Sequence, residues 1–354
     1  MYESRIAADP LLVASSPGLA PAIDVLAACN LSGHGFLRAA WYGAEGADGL
    51  HSFVVTGADG APLAVIPHVA FGPALAGARK VPGAYWPFRS PLLAPACTPF
   101  HLAEALREPA ARSLGPVWRV GPARHDDPAM VLLRDGARQA GWTVLARPSG
   151  TSWVIDCEAL RAGGWPRAST AKRIRRIERR LAEKGAVSWD IVRGKLWNNS
   201  VLEQLGTVEA ASWIASKTDG SGAKFLTEDH RARWQTALAD PVLAEMLCAT
   251  ILRLDGRAIA FSFDLDDGPV RYGIAGSYVS DFSDFEVGKL ANHRSLADAM
   301  EAGQKRLDLG AGDSGYKREM GAVRGYDLAD YLFVRSPLAA KVMARVWGKA
   351  VTHG

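Results

Sequence analysis

Six cations, Lys172, Arg173, Arg175, Arg176, Arg179 and Arg180, fall within nine residues, and Glu178 is the one acid among them. Ile174, Ile177 and Leu181 recur at helical spacing, which predicts an amphipathic helix over 169–184. Ser169 or Thr170 can cap its start and Gly185 can end it. Arg173, Arg176 and Arg180 then lie outside the apolar stripe, where they either bind an anion or simply solvate the helix. A second candidate is the junction after Tyr278, where the polar stretch Ser280 to Asp284 leads into a helix opening near Phe285. Exposed amides at a helix start suit a phosphate or pyrophosphate; Gly288 permits close backbone approach and Lys289 adds charge. The same residues equally fit a helix capped by Asp284 and packed on a strand. The third candidate is the loop Gly310-Ala-Gly312-Asp-Ser-Gly315, followed by Tyr316-Lys317.

That loop matches GxGxxG, but neither a long helix opening within it nor a parallel βαβ unit accompanies it, so a dinucleotide fold is excluded. Gly312-Asp-Ser-Gly315 resembles a serine nucleophile loop, yet none of the eight histidines has a partner segment. No HExxH, CxxC pair or spaced His/Asp cluster supports a metal, and Gly288-Lys289 lacks the rest of a phosphate-binding P-loop. Cys29, Cys97, Cys157 and Cys248 are scattered without a disulfide framework. No stretch approaches the roughly 18 apolar residues needed to span a bilayer, and the N-terminus does not read as a secretory signal. The expected compartment is the cytoplasm. With a formal charge of +4 over 354 residues, the basic run is a local concentration on a nearly balanced chain.

The elements that must position these residues are clearest in the second half. A strand at Val187–Val192 follows the basic helix, and helices follow over Glu203–Ser216 and Glu228–Ala239. Leu247–Leu254, Ala258–Leu265 and Val270–Ser277 are apolar runs joined by Asp255-Gly256 and Asp267-Gly268, an antiparallel meander. A helix over Phe285–Ala302, a short strand at Leu307–Leu309, a short helical segment and a strand at Tyr331–Val334 complete the series. The first half echoes this order with a hairpin around Ala58-Asp59-Gly60, a strand at Trp118–Val120, a helix at Ala129–Ala140 and a strand at Trp142–Ala146. Two similar modules are expected, at 1–160 and 161–354.

Three segments together resemble the GNAT acetyltransferase superfamily: KRIRRIERRLAEKGAVSW, LRLDGRAIAFSFDLDDGPVRYGIAGSY and RLDLGAGDSGYKREMG. The closer resemblance is to its CelD-like branch, associated with cellulose and exopolysaccharide biosynthesis and related to the Fem-type aminoacyl ligases. It covers about Ser169 to Gly321. The resemblance implies an α/β (α+β mixed) fold of two tandem GNAT-like modules, each a mixed, mostly antiparallel sheet flanked by helices, the first degenerate. It implies that acetyl-CoA or another acyl-CoA binds the second module, with no metal. Tyr272 to Tyr278, including Ile274, Ala275 and Gly276, would border the acyl group, and Val287, Gly288, Lys289 and Leu290 the pyrophosphate. The chain departs from the branch in having Phe-Glu-Val-Gly where Ser-Pro-Gly is usual.

The expected reaction is direct acyl transfer from the thioester to an amine or sugar hydroxyl. A strand amide would polarise the carbonyl. Tyr316, or else Tyr278, would protonate the thiolate, and Asp313, or else Asp281 or Glu286, would accept the nucleophile's proton. Lys317 would orient an anionic acceptor or the CoA phosphates. Two other readings stay open: Fem-type aminoacyl transfer with tRNA on the basic helix, and a non-catalytic module that binds RNA or an anionic polymer. Few aromatics interleave the arginines, which disfavours single-strand stacking there; nucleic acid is the less expected partner, with tRNA kept open. Leu338, Val342, Val346 and Ala350 recur every four residues beside Lys341, Arg345 and Lys349. This C-terminal helix is expected to dock on the protein or to touch an anionic membrane peripherally.

Overall fold

The computed structural model describes residues 10–46, 48–84, 88–217, 220, 222–312 and 315–347. Contacts divide them into two units, one of residues up to Gly150 together with those from Asp327, the other Thr151–Tyr326. Residues from Asp327 onward thus group with the first unit, whereas the sequence reading kept them in the second module.

In the first unit β1 (Leu12–Pro17), β2 (His51–Thr56) and β3 (Pro62–Ala70) pair antiparallel. β4 (Arg79–Lys80) and β5 (Leu92–Leu93) each pair with β3, and β6 (Val117–Arg124) runs parallel to β4. Helices α1 (Ala22–Ala27), α2 (Ala39–Gly43), α3 (Pro99–Arg107) and α4 (Pro128–Gln139) belong to this unit. Asp127 and Thr98 cap α4 and α3 by accepting from the Met130 and His101 amides. β7 (Thr143–Asp156) ends in the second unit and extends well beyond the expected Trp142–Ala146.

The second unit continues with α5 (Cys157–Ala162), α6 (Ala168–Ala182), β8 (Val187–Val192), α7 (Asn199–Ala210), α8 (Trp213–Lys217), α9 (Glu228–Leu238) and α10 (Pro241–Met246). Next come β9 (Leu247–Leu254), β10 (Arg257–Asp267), β11 (Val270–Tyr278), α11 (Val287–Glu301), β12 (Arg306–Ala311) and α12 (Tyr316–Glu319). β13 (Val323–Val334) starts in this unit and α13 (Pro337–Trp347) lies in the other. The expected meander forms β9–β11, and its first turn places Asp255 at φ +48° and Gly256 at +78°, the pair of left-handed residues a two-residue hairpin needs. The sheet runs β7-β12-β11-β10-β9-β8, with β11 and β12 parallel and the other neighbours antiparallel.

Strand alternation sends Phe261 and Phe263 to one face, where they meet Phe225 and Trp234 of the α9 region. The other face carries α6 and α11: Ile177, Leu181, Val287, Leu290 and Ala291 pack on Leu252 and Ala260. The basic helix therefore buries Ile177 and Leu181 and half-buries Ile174 on the expected face, but it starts at Ala168 with Arg167 as cap, and no side chain caps it. On this face a buried ionic network locks α11 to the meander. Arg271 is fully buried, bonds Asp266 and Asp298, and donates to the Ser295 carbonyl; Arg193 bridges the same two carboxylates. Beside it, Asp264 accepts from Ser262 and Ser295. Among the described residues no helix is long and apolar enough to cross a membrane.

In the first unit, α13 buries Ala340, packed with Ala339, Met343 and Trp347 against Leu332 and Val334. Leu338 and Val342, half of the anticipated apolar stripe, face solvent at 75% and 62% exposure. Ala350 and Lys349 lie outside the described residues.

Candidate functional site

β11 and β12 pair only through Val270↔Arg306, Arg271↔Leu307 and Tyr272↔Asp308. β11 then continues along β10 to Tyr278 while β12 stays with β7, as far as Ala311↔Ser152, so the two strands open into a V-shaped notch. The divergence coincides with a bulge. Phe263 pairs with Ala275 and Asp264 with Gly273, which leaves Ile274 opposite no residue of β10. A bulge takes its extra residue out of the ladder and re-aims the residues beyond it. Before it, Arg271 faces α11; after it, Gly276 and Tyr278 do. Gly276 is exposed in mid-strand, and a Cβ there would lie 3.5 Å from Asn292 Oδ1 on α11.

Asn292 also lines a cleft of about 340 Å³ between α6, α11 and α12. Its apolar wall includes Leu160, Trp165, Ile174, Leu296 and Met320, and Arg167, Arg173, Lys289 and Arg318 stand at its polar edge. The volume is at the lower end of the roughly 300–1,000 Å³ of small-ligand sites. His293 stacks on Trp165 at 4.6 Å with its Nε2 buried and unpaired, and burial lowers its pKa, which keeps the ring neutral.

The opposite face of β12 carries a polar cluster. Leu307 and Leu309 pack in the core that holds Leu296, so Asp308 between them points the other way. Its carboxylate accepts from the Ser152 and Tyr326 hydroxyls and, at 2.8 Å, from the Gly310 amide. Burial raises the Asp308 pKa, opposed by those donors and by the Lys317 charge. Burial first, then the charge of Asp308 and the proximity of Tyr272, hold the Tyr326 phenol far above its ordinary range. Asp308 is buried, Tyr326 only partly so. The group therefore sits at the apex of the notch, beside the last paired residue of β11.

The predicted site residues divide accordingly. Ile274, Ala275 and Gly276 border the notch, and Tyr316 and Lys289 line the cleft. Val287 and Leu290 bury their side chains in the core, so only their backbone could meet a ligand. The chain reaches α11 through a short 3-10 helix, Ser280–Phe285, and Glu286 at φ +49°, so α11 starts at Val287 without an Asp284 cap. Gly288 packs under Tyr278: a Cβ there would be 2.7 Å from that ring. Tyr278 itself joins the α6–α11 core. Glu286 ion-pairs with Arg173 and, at 3.2 Å, with Lys289, which also reaches Glu319 at 2.7 Å. The Arg173 hydrogen bond, more than any other contact, holds the Glu286 pKa down. Arg180 lies over the Phe285 ring, and Arg176 is exposed. Lys317 is buried and donates to the Gly310 and Ala311 carbonyls, where β12 breaks register. Asp313 lies outside the described residues, and Asp281 is exposed ahead of α11. Sequence reasoning missed Asp308, Ser152 and Tyr326. Only Asp308 had a signal, a lone carboxylate between two leucines of a buried strand. Among the described residues no group of three or more His, Cys, Asp or Glu could hold a metal.

Residues 168–318 match the family model of an acetyltransferase (GNAT) domain. Among solved structures, the chain is similar to the C-terminal domain of a putative lysylphosphatidylglycerol synthetase from Agrobacterium fabrum, at 15% identity and a TM-score of 0.55, over 92% of this chain and 93% of that one. It is similar to a tandem GNAT protein from the clavulanic acid biosynthesis pathway at 14% identity and a TM-score of 0.51, over 93% and 99%. FemX follows at 13% identity and a TM-score of 0.51, over 86% and 93%. No curated protein matches in sequence. Identities this low establish the fold, mixed α/β and of the tandem GNAT kind, and leave the chemistry to the site.

Proposed function

We propose that this protein transfers an acyl group, acetyl in the simplest case, from a CoA thioester to an amine or sugar hydroxyl. The observation that carries this reading is the notch. β11 leaves β12 after Tyr272 and bulges at Ile274, which supplies strand amides that are not committed to a ladder. A pantetheine arm entering from the cleft would lie along Gly276 and Asn292 and bring its carbonyl to the amides around Ile274. Fixed amides aimed at a developing oxyanion stabilise the transition state more than the ground state. The pyrophosphate would meet the amides opening α11 and take over Arg173 and Lys289 from Glu286. Tyr316, on the cleft wall, would protonate the leaving thiolate. Lys317 holds the loop after β12. The reading is tested by calorimetric titration with acetyl-CoA, butanoyl-CoA and free CoA. Micromolar binding that Lys289→Ala weakens is expected; no binding of any of the three refutes it.

A second reading rests on α6. Lys172, Arg175, Arg176 and Arg179 stand at i, i+3, i+4 and i+7, all exposed and without an ion-pair partner among the described residues. This is a continuous cationic stripe suited to a phosphodiester backbone, as in aminoacyl transfer from tRNA. Binding of tRNA with a steep salt slope, lost on Arg175→Glu/Arg176→Glu, would favour it over CoA.

A further inference from the structure

We infer that Tyr326 and Asp308 form the proton relay for the attacking nucleophile. The inference rests on the acyl-transfer reading and extends it to the face of the sheet away from the cleft.

The argument begins with topology. A donor held along Gly276 occupies the α11 side of the notch, so an attacking amine or hydroxyl must come from the other side. Tyr272, Asp308, Ser152 and Tyr326 are gathered there, from β11, β12, β7 and β13. The notch opens directly beyond the Tyr272↔Asp308 pair, so this cluster sits where the reacting carbon must come closest to β12. Within it, the carboxylate is buried and the phenol partly exposed, with its proton already committed to Asp308. Charged and titratable groups facing Asp308 are Tyr326 and, more remotely, Tyr272 and Lys317; Ser152 and the Gly310 amide supply the remaining donors.

The step balances as follows. The nucleophile's lone pair forms the new bond to the acyl carbon while its N–H or O–H proton passes to the Tyr326 oxygen. The Tyr326 proton moves to Asp308, and the C–S bond breaks as the tetrahedral intermediate collapses. Reversal of the relay after product leaves returns the proton to solvent, and the thiolate takes its own from Tyr316 or water. Tyr326 is the catalytic residue; Asp308 acts through it, and Ser152 is a positioning residue that tunes the carboxylate.

The test uses the full chain, acetyl-CoA, and ethanolamine or water as acceptor, with released CoA thiol as the readout. Tyr326→Phe and Asp308→Asn should each lower kcat by a hundredfold or more while the acetyl-CoA Kd stays within threefold. Ser152→Ala should keep most activity at alkaline pH but move the acidic limb of the kcat profile upward, because losing a donor raises the carboxylate pKa. Thermal unfolding of the three variants confirms folding, and the serine variant keeps the test open where the aspartate variant does not fold. Full turnover by Tyr326→Phe, or an unmoved limb in Ser152→Ala, overturns the relay and leaves acyl transfer standing. Acetyl-CoA that binds the wild type without thiol release overturns it as well. Absence of acetyl-CoA binding removes both, and calorimetry tells the cases apart.

Discussion

Replacing Gly276 by valine puts a branched side chain against the proposed path of the pantetheine arm without asking the sheet to move. The first added atom meets Asn292 Oδ1 and the Phe261 carbonyl oxygen at 3.5 Å each, ordinary contact distances. Strands favour valine over glycine by up to about 1 kcal/mol, so the unfolding midpoint should hold or rise. The two methyl groups then reach about 1.5 Å farther, alongside Asn292 and toward the cleft. Forcing a ligand to share that space resembles overpacking, at about 1–3 kcal/mol. At 1.4 kcal/mol per tenfold, acetyl-CoA should bind roughly 5- to 150-fold more weakly. Gly276→Ala, which adds only the tolerated atom, should bind within about threefold of wild type. Paired calorimetry and thermal unfolding make the measurement. A valine variant that is folded and binds acetyl-CoA as tightly as wild type would show that no ligand runs along this strand.

Other consequences follow from the same geometry. Gly288→Ala should destabilise by about 1–3 kcal/mol through its clash with the Tyr278 ring, and Tyr278→Ala in the same chain should recover part of that loss in a double-mutant cycle. Arg271→Ala removes the fully buried one of the two guanidinium groups on Asp266 and Asp298, leaving Arg193 as their remaining cation, and should cost about 3–5 kcal/mol by urea unfolding. Burial pushes the Asp264 carboxyl up to about 6 from 3.8, against the pull of Arg271 and the two serines. The folded state therefore holds a proton that the unfolded chain has released, and stability falls as pH rises from about 4 to about 6, by on the order of 3 kcal/mol. Asp264→Asn should flatten that part of the stability difference between pH 4.5 and pH 7.5; an unchanged slope would contradict the assignment. Leu338 and Val342, exposed on α13 with Lys341 and Arg345 nearby, should support binding to vesicles of anionic phospholipid, and Leu338→Glu/Val342→Glu should abolish it with little change in stability.

What the sequence made legible was periodic or local. The isoleucines and leucine of α6 name its buried face, and the two Asp-Gly pairs place the meander within a residue or two. Ile274 to Gly276 could be marked through family resemblance, but the bulge that frees Ile274 arises from register between strands and leaves no local trace. Gly288 looked like room for a phosphate, whereas its immediate neighbour is the Tyr278 ring, ten residues away in sequence. Glu286 adopts a left-handed backbone that no glycine or asparagine announced, which is why the start of α11 was misjudged. Ser152 and Tyr326 reach Asp308 across 156 and 18 residues, and hydroxyls at such separations carry no periodic signal. The apolar stripe of α13 misled because the helix docks by Ala340, Met343 and Trp347 instead.

The family match begins at 168 and ends at 318, while Ser152 precedes it and Tyr326 follows it. Excising that segment would carry Asp308 along and leave behind both hydroxyls that solvate it, together with the β7 stretch that flanks β12. A buried carboxylate left with the Gly310 amide as its one remaining donor of the three is costly to keep charged or takes up a proton. The smallest piece able to keep this corner intact is thus set by two residues outside the matched segment, and recombination at its borders would deliver a sheet whose Asp308 carboxylate has lost both hydroxyl partners.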